Sequence, residues 1–266
     1  IQEDVSNSIV NALKLKLSPE EKEDIAFHPI KNIQAYEVYL KARNKIWRGD
    51  EKSLDSALQF LNNAIEIIGE NSILYSGIGY VYFQYVNMGI KQGEYIEKIH
   101  ACIEKVFELD PQSAQGHLLT GMVFTEFKGD KNQGMSHLHK AFTRDPNNPE
   151  ILLWLAFGYM LAGKMKKSNK LVKKGLQIDP LSYTSYLMIA QQYYFDGQFK
   201  KSLTELIKIE EIEPNNLIYL YNYALFLVSN NRKNYSLDII ERILKIDPQH
   251  FFSKFAQILK FSLLGD

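Results

Sequence analysis

Between Asn148 and Gly163 the apolar residues Leu152, Leu155, Ala156 and Tyr159 recur at three- and four-residue steps, and the same phase returns at Tyr186, Ile189, Ala190 and Tyr193. Such spacing puts them on one stripe of an α-helix. Ahead of each stripe stands a residue able to cap a helix: Ser113, Asn148, Ser182 and Asn216, each two positions after a proline. Their side chains can accept hydrogen bonds from the free N–H groups of a first turn. His250 breaks this series at the fifth proline. Behind the stripes come Gly129, Gly163, Gly197 and the pair Asn230 and Asn231, where a helix end calls for a left-handed residue. A second amphipathic stretch then leads to the next acidic-proline junction, so each unit reads as helix, turn, helix.

The prolines at 111, 146, 180, 214 and 248 lie 35, 34, 34 and 34 residues apart, a period that marks stacked supersecondary units. Small residues occupy one register of the successive first helices: Gly79, Gly121, Ala156, Ala190 and Ala224. A side chain larger than a methyl there would hold paired helices apart. The unit from Ser72 to Pro111 carries about eight extra residues around Met88 to Gly93, close to two helical turns. Both of its helices are therefore expected to lengthen by about a turn and project, with no long disordered loop at 86–96. Phe251 to Leu264 repeats the apolar spacing at Phe252, Phe255, Ile258, Leu259 and Ser262 with no partner helix after it, which predicts a closing helix over the last repeat.

The small position, followed three residues later by Tyr82, Phe124, Tyr159, Tyr193 or Leu227 and ending in proline, resembles the tetratricopeptide repeat. The resemblance is close from Ser72 to Pro248. It is looser from Asn32 to Gly69, where Ala42, Ala57, Leu61 and Ala64 keep the small and apolar positions but Gly69 replaces the proline. It implies an all-α fold, a right-handed α-solenoid of stacked helix-turn-helix (TPR) repeats with terminal helices. About six helical pairs would fill residues 32–248, with an N-terminal helix and linker over 1–31 and a capping helix over 249–266. The stretch Gln2 to Leu17, followed by Ser18-Pro19-Glu20-Glu21 and by Ala35 to Ala42, is similar to the join between a TolB-like domain and its downstream repeats in bacterial signalling proteins. That similarity implies a fragment of a larger signalling chain.

Composition narrows the function classes. Basic and acidic residues balance at 31 each among 266 residues, so no global field draws the chain to nucleic acid or to an anionic membrane. No apolar run approaches the length of a membrane-spanning helix. The single cysteine, Cys102, cannot form an intramolecular disulfide and fits cytoplasm or periplasm alike.

Candidate chemistry is sparse. Gly77-Ile78-Gly79 lacks the third glycine of a dinucleotide loop and falls inside a helix pattern, where close packing explains it better. His137 and His139 lie two apart on one helix and point to different sides, as do His100 and Cys102, so neither pair predicts a metal. Lys164, Lys166, Lys167, Lys170, Lys173 and Lys174 form the densest charge cluster. On a second helix it reads as a solvated face, with phosphate binding as its sharper alternative. No converging catalytic set emerges, and the chain reads as a non-enzyme without cofactor or metal.

In the tetratricopeptide family a concave groove is lined by first-helix positions. Carried onto this chain, the resemblance implies a groove formed by Leu118, Met122, Leu153, Trp154, Phe157, Leu187, Gln191, Tyr194, Tyr221 and Leu225. That lining is apolar and aromatic, without the lysines and arginine with which some family members clamp a C-terminal carboxylate. The first expectation is thus a protein-interaction module that takes a peptide or partner domain in an apolar groove, as scaffold or sensor of a signalling protein. The alternatives are an element that pairs with its own copy as a homodimer, through the C-terminal helix or the projecting repeat, and RNA binding through the lysine face around Lys170.

Overall fold

Local signals of capping and termination are realised along most of the chain. The computed structural model describes residues 30–46, 48 and 50–265, which form thirteen α-helices and no strand. They are α1 (Ile33–Ile46), α2 (Glu51–Ile68), α3 (Ser72–Asn87), α4 (Gln92–Leu109), α5 (Ala114–Glu126), α6 (Lys131–Arg144), α7 (Pro149–Leu161), α8 (Met165–Ile178), α9 (Tyr183–Phe195), α10 (Phe199–Ile212), α11 (Leu217–Ser229), α12 (Lys233–Ile246) and α13 (Phe251–Leu264). Consecutive helices pair as hairpins from α1 with α2 to α11 with α12, and α13 closes the series. The helix expected over Gln2 to Leu17 lies outside the described residues.

All four predicted caps are formed: Ser113 Oγ accepts from Gly116 N at 3.1 Å, Ser182 Oγ from Ser185 N at 3.3 Å and Asn216 Oδ1 from Tyr219 N at 2.9 Å. Asn148 Oδ1 accepts from Glu150 N at 3.1 Å and Ile151 N at 3.3 Å. At the fifth junction His250 does the same work with its ring, Nδ1 accepting from Phe252 N at 3.2 Å. The first helices of these repeats end on left-handed residues, Gly129 at φ 66°, Gly163 and Gly197 at φ 70° and Asn231 at φ 57°. Asparagine tolerates that region better than most residues because its short side chain bonds locally. Replacing Asn148 with alanine is expected to cost about 1 kcal/mol, the usual value of one cap, measured by urea unfolding.

The chain divides after Pro111 into two units. In the first, α2 buries Leu54, Ala57, Leu61 and Ala64, and α3 buries Gly77 and Gly79 within its length. Gly77 lies against Leu61, where an added Cβ would come within 3.0 Å of Cδ2, so this glycine serves helix packing. The extra residues before Pro111 are taken up as expected: α3 has 16 residues and α4 has 18, against 13 and 14 in each later hairpin. Only Met88 to Lys91 turn between them. Cys102 is buried on α4, and burial pushes its thiol up to about 12, leaving it an inert packing residue.

In the second unit, from Gln112, each second helix also packs on the next first helix, as α6 does on α7, α8 on α9, α10 on α11 and α12 on α13. This alternation stacks the hairpins in series, so each one contacts only its neighbours. The first of them is closely packed. A Cβ on Gly121 of α5 would lie 2.8 Å from Leu138 Cγ and 3.1 Å from the Gly134 carbonyl oxygen of α6, so two glycines face each other across the hairpin. At the corresponding repeat positions the later hairpins bury Ala156, Ala190 and Ala224 on the first helix and Ser168, Ser202 and Ser236 on the second. In the last of these Ser236 Oγ donates to the Ala224 carbonyl at 2.9 Å.

The phase of α13 departs from expectation. The helix turns Ser253 and Ala256 fully inward, with Phe252, Leu259 and Leu263 half-buried against the core, while Phe255, Ile258, Phe261 and Leu264 are exposed. Its sequence is apolar on nearly every side, so periodicity alone does not select the buried stripe.

Candidate functional site

First helices α5, α7 and α9 touch in sequence, as do α11 and α13, and their shared face carries the predicted groove positions. The structure divides those positions into two sets. Leu118, Met122 and Leu187 are buried and offer almost no surface, a correction to their assignment as lining residues. They occupy turns where neighbouring helices already meet, and packing claims them.

Leu153, Trp154, Phe157, Gln191, Tyr194, Tyr221 and Leu225 are half-buried. Trp154 and Phe157 meet edge to face with centroids 5.7 Å apart on α7. Tyr194 stacks flat on Phe226 of α11 at 4.3 Å, and its hydroxyl donates to Ser229 Oγ. Gln191 Nε2 donates to Asn222 Oδ1 at 3.3 Å, and Asn222 in turn donates to the Ile218 carbonyl. Gln191 and Tyr194 therefore brace α9 against α11 as well as showing surface. Tyr221 packs against Phe252 and Phe255 of α13 at 5.6 and 6.0 Å.

Three further apolar side chains on the same helices are more open: Leu161 at 42% exposure, Phe195 at 65% and Phe255 at 40%. Leu161 and Phe195 are one repeat apart in sequence, as are Tyr221 and Phe255. That 34-residue offset is the signal by which Phe255 joins the surface. Along α5, α7, α9 and α11 the only Asp, Glu, Lys or Arg residues are Glu126 and Glu150. Desolvation by its neighbours raises the Glu126 carboxyl above its ordinary value although the residue keeps an exposed surface, and Glu150 is buried in the first turn of α7.

The lysine cluster on α8 is partly committed to packing. Lys167 lies over the Tyr159 ring at 5.4 Å, and Lys174 lies over Phe142 while donating to the Pro146 carbonyl at 2.7 Å. Lys128 over Phe124 and Lys201 over Tyr193 repeat the first arrangement in the neighbouring hairpins. These cations therefore cover the aromatic that follows each small position. Lys166, Lys170 and Lys173 are exposed.

The histidines go to different neighbours. His139 Nε2 lies 3.0 Å from the Tyr159 hydroxyl, while His137 Nδ1 lies 3.1 Å from His117 Nδ1 across the α5–α6 hairpin. Desolvation, with Lys140 beside His137 and Lys167 beside His139, lowers both imidazoles below the usual histidine value. No group of three or more His, Cys, Asp or Glu side chains placed to hold a metal occurs among the described residues. No described helix is long and apolar enough to cross a membrane.

Compared with known proteins, the chain matches no protein-family model and no curated protein by sequence. Solved structures do resemble it. Human IFIT1, solved as a dimer with PPP-AAAA, superposes at TM-score 0.65 and 15% identity over 83% of this chain and 53% of that one. TTC0263, a thermophilic TPR protein in Thermus thermophilus, does so at 0.53 and 17% over 70% and 99%. A tetratricopeptide repeat protein from Parabacteroides merdae follows at 0.52 and 15% over 86% and 91%. The fold is therefore of the all-α tetratricopeptide type, stacked helical hairpins closed by a final helix.

Proposed function

We propose that this chain is a protein-interaction module and that its second unit takes an apolar, helix-forming segment of a partner along the face of α7, α9, α11 and α13. One observation carries the reading: a run of partly or largely exposed apolar side chains at repeat-related positions, Trp154, Phe157, Leu161, Tyr194, Phe195 and Phe255, with no lysine or arginine among them. Apolar anchors spaced along a helix complement such a face, and their desolvation supplies most of the affinity. A role as sensor or scaffold within a bacterial signalling protein is consistent with the N-terminal sequence.

The test uses exposed residues so that folding is preserved. In quantitative capture from source lysate, the protein is compared with a Leu161→Glu, Phe195→Glu variant whose circular dichroism and unfolding midpoint match it. A defined partner is expected to be held by the unaltered chain and recovered at least about tenfold less by the variant, since two exposed apolar anchors that a bound partner would cover are replaced by charge. Equal recovery would sink the assignment of the face. RNA capture through Lys166, Lys170 and Lys173 would show as salt-sensitive binding that the variant keeps.

A second reading rests on the exposed apolar stripe of α13, Phe255, Ile258, Phe261 and Leu264. It makes the chain pair with its own copy there. Light scattering distinguishes the two: a mass of one chain at high concentration removes self-association, and a dimer lost in Ile258→Glu supports it.

A further inference from the structure

We propose that His117 and His137 form a two-histidine chelate for a borderline transition-metal dication, of which zinc and nickel are the chemical examples. The register of the α5–α6 hairpin places them. Gly121 and Gly134 face each other across the antiparallel helices, where a Cβ on either would lie 3.1–3.2 Å from the other's carbonyl oxygen. His117 lies four residues before Gly121 and His137 three residues after Gly134, so both imidazoles stand one turn from that contact, on the same side of it. Where the backbones are this close, side chains one turn along have no room to diverge.

The resulting Nδ1–Nδ1 separation is 3.1 Å. At zinc–imidazole distances of about 2.0–2.1 Å, two nitrogens so spaced subtend roughly 95–100° at a common ion, near the octahedral angle and a few tenths of an ångström short of the tetrahedral one. In the metal-free protein one Nδ1–H must donate to the other Nδ1. An ion takes the place of that shared proton, which moves to Nε2 of the same ring, so both imidazoles bind as neutral ligands. Two imidazoles come from the chain, and water or a partner group completes the coordination shell. Imidazole suits zinc, nickel and copper better than magnesium or calcium, which take oxygen ligands.

The corresponding positions in the later hairpins are Leu152 with Leu171, Tyr186 with Glu205, and Leu220 with Ile239. Only the first hairpin of this unit presents two ligating nitrogens there. Phe124 stacks on His137 with centroids 5.9 Å apart and limits how far that ring can turn away. Such support keeps a ligand in its binding orientation.

The test is isothermal titration of the purified chain, free of any histidine tag, with zinc chloride and with nickel chloride, together with thermal unfolding in the same buffers. One ion per chain is expected, with a raised unfolding midpoint because the ion binds only the paired helices. His117→Leu and His137→Leu import the leucines of the next hairpin and should fold. Each should weaken binding by at least about tenfold, since even groups that merely orient a ligand are worth 10- to 100-fold. His139→Ala, which leaves the pair intact, should bind as the unaltered protein does. No heat at millimolar ion, or binding that survives His117→Leu or His137→Leu, would overturn the proposal. So would weakening in His139→Ala equal to that in the pair variants.

Discussion

Leu138→Ala is expected to lower the unfolding free energy by about 3 kcal/mol, within the 2–5 kcal/mol typical of a buried leucine truncated to alanine. The side chain is fully buried on α6. It fills a notch made by two glycines: Leu138 Cγ would lie 2.8 Å from a Cβ on Gly121 of α5, and Leu138 Cδ1 3.6 Å from a Cβ on Gly158 of α7. Truncation therefore opens a cavity bounded on two sides by backbone that has no side chain to swing into it. Beside it, Met135 already has its sulfur over Gly158 and is committed there. Because hairpins in a stack exchange stability only with their neighbours, weakening the junction between two of them should also broaden the urea transition. Urea unfolding followed by circular dichroism measures both effects. A loss below about 1 kcal/mol would show that α5 and α7 close over the gap instead.

What could be read from the chain in advance follows the range of each interaction. Caps and turns are local, and the residues named for them serve as named: Ser113, Asn148, Ser182 and Asn216 cap, while Gly129, Gly163, Gly197 and Asn231 take positive φ. The added length in α3 and α4 was equally legible, because a helix of good phase extends more readily than it loops out. Groove positions were harder. Repeat offsets say which turn of a helix faces the series of first helices, but not whether the neighbour already covers it. Leu118, Met122 and Leu187 are covered, whereas Leu153, Phe157 and Tyr221 are only partly so.

The partner of His137 was out of reach for a different reason. His139 is two residues away in sequence and points elsewhere, to Tyr159. His117 is twenty residues away, and only the register of the hairpin brings it near. That register follows from Gly121 facing Gly134, a pairing that composition conceals because both residues also fit a general preference for small side chains. The stripe of α13 was ambiguous for want of polar residues to mark an outside. Its two lysines, Lys254 and Lys260, are too few to fix a phase, and Lys260 is drawn to Glu241 of α12 at 2.6 Å.

Gly134→Val is expected to cost about 3 kcal/mol or more, at the upper end of what overpacking exacts, because no neighbour can yield cheaply. A Cβ at this position would lie 2.4 Å from Thr125 Oγ1 and 3.2 Å from the Gly121 carbonyl oxygen. Thr125 is itself buried, and its hydroxyl donates to that same carbonyl at 2.8 Å, so moving it strands a buried polar group. Helix propensity acts in the opposite direction, favouring alanine over glycine by about 0.8–1 kcal/mol. Which effect wins can be decided with a double-mutant cycle. Gly134→Ala alone should destabilise, since the hydroxyl blocks the new methyl. In a Thr125→Ala background the hydroxyl is gone and only backbone contacts at 3.2 Å are left, so the same change should cost much less. The coupling between the two sites should therefore exceed about 1 kcal/mol, measured by urea unfolding of the four proteins. Additive behaviour would mean that the helices part freely at Gly134. The imidazoles of His117 and His137, one turn away, would then have no reason to stay together, and zinc affinity in Gly134→Ala should fall along with stability.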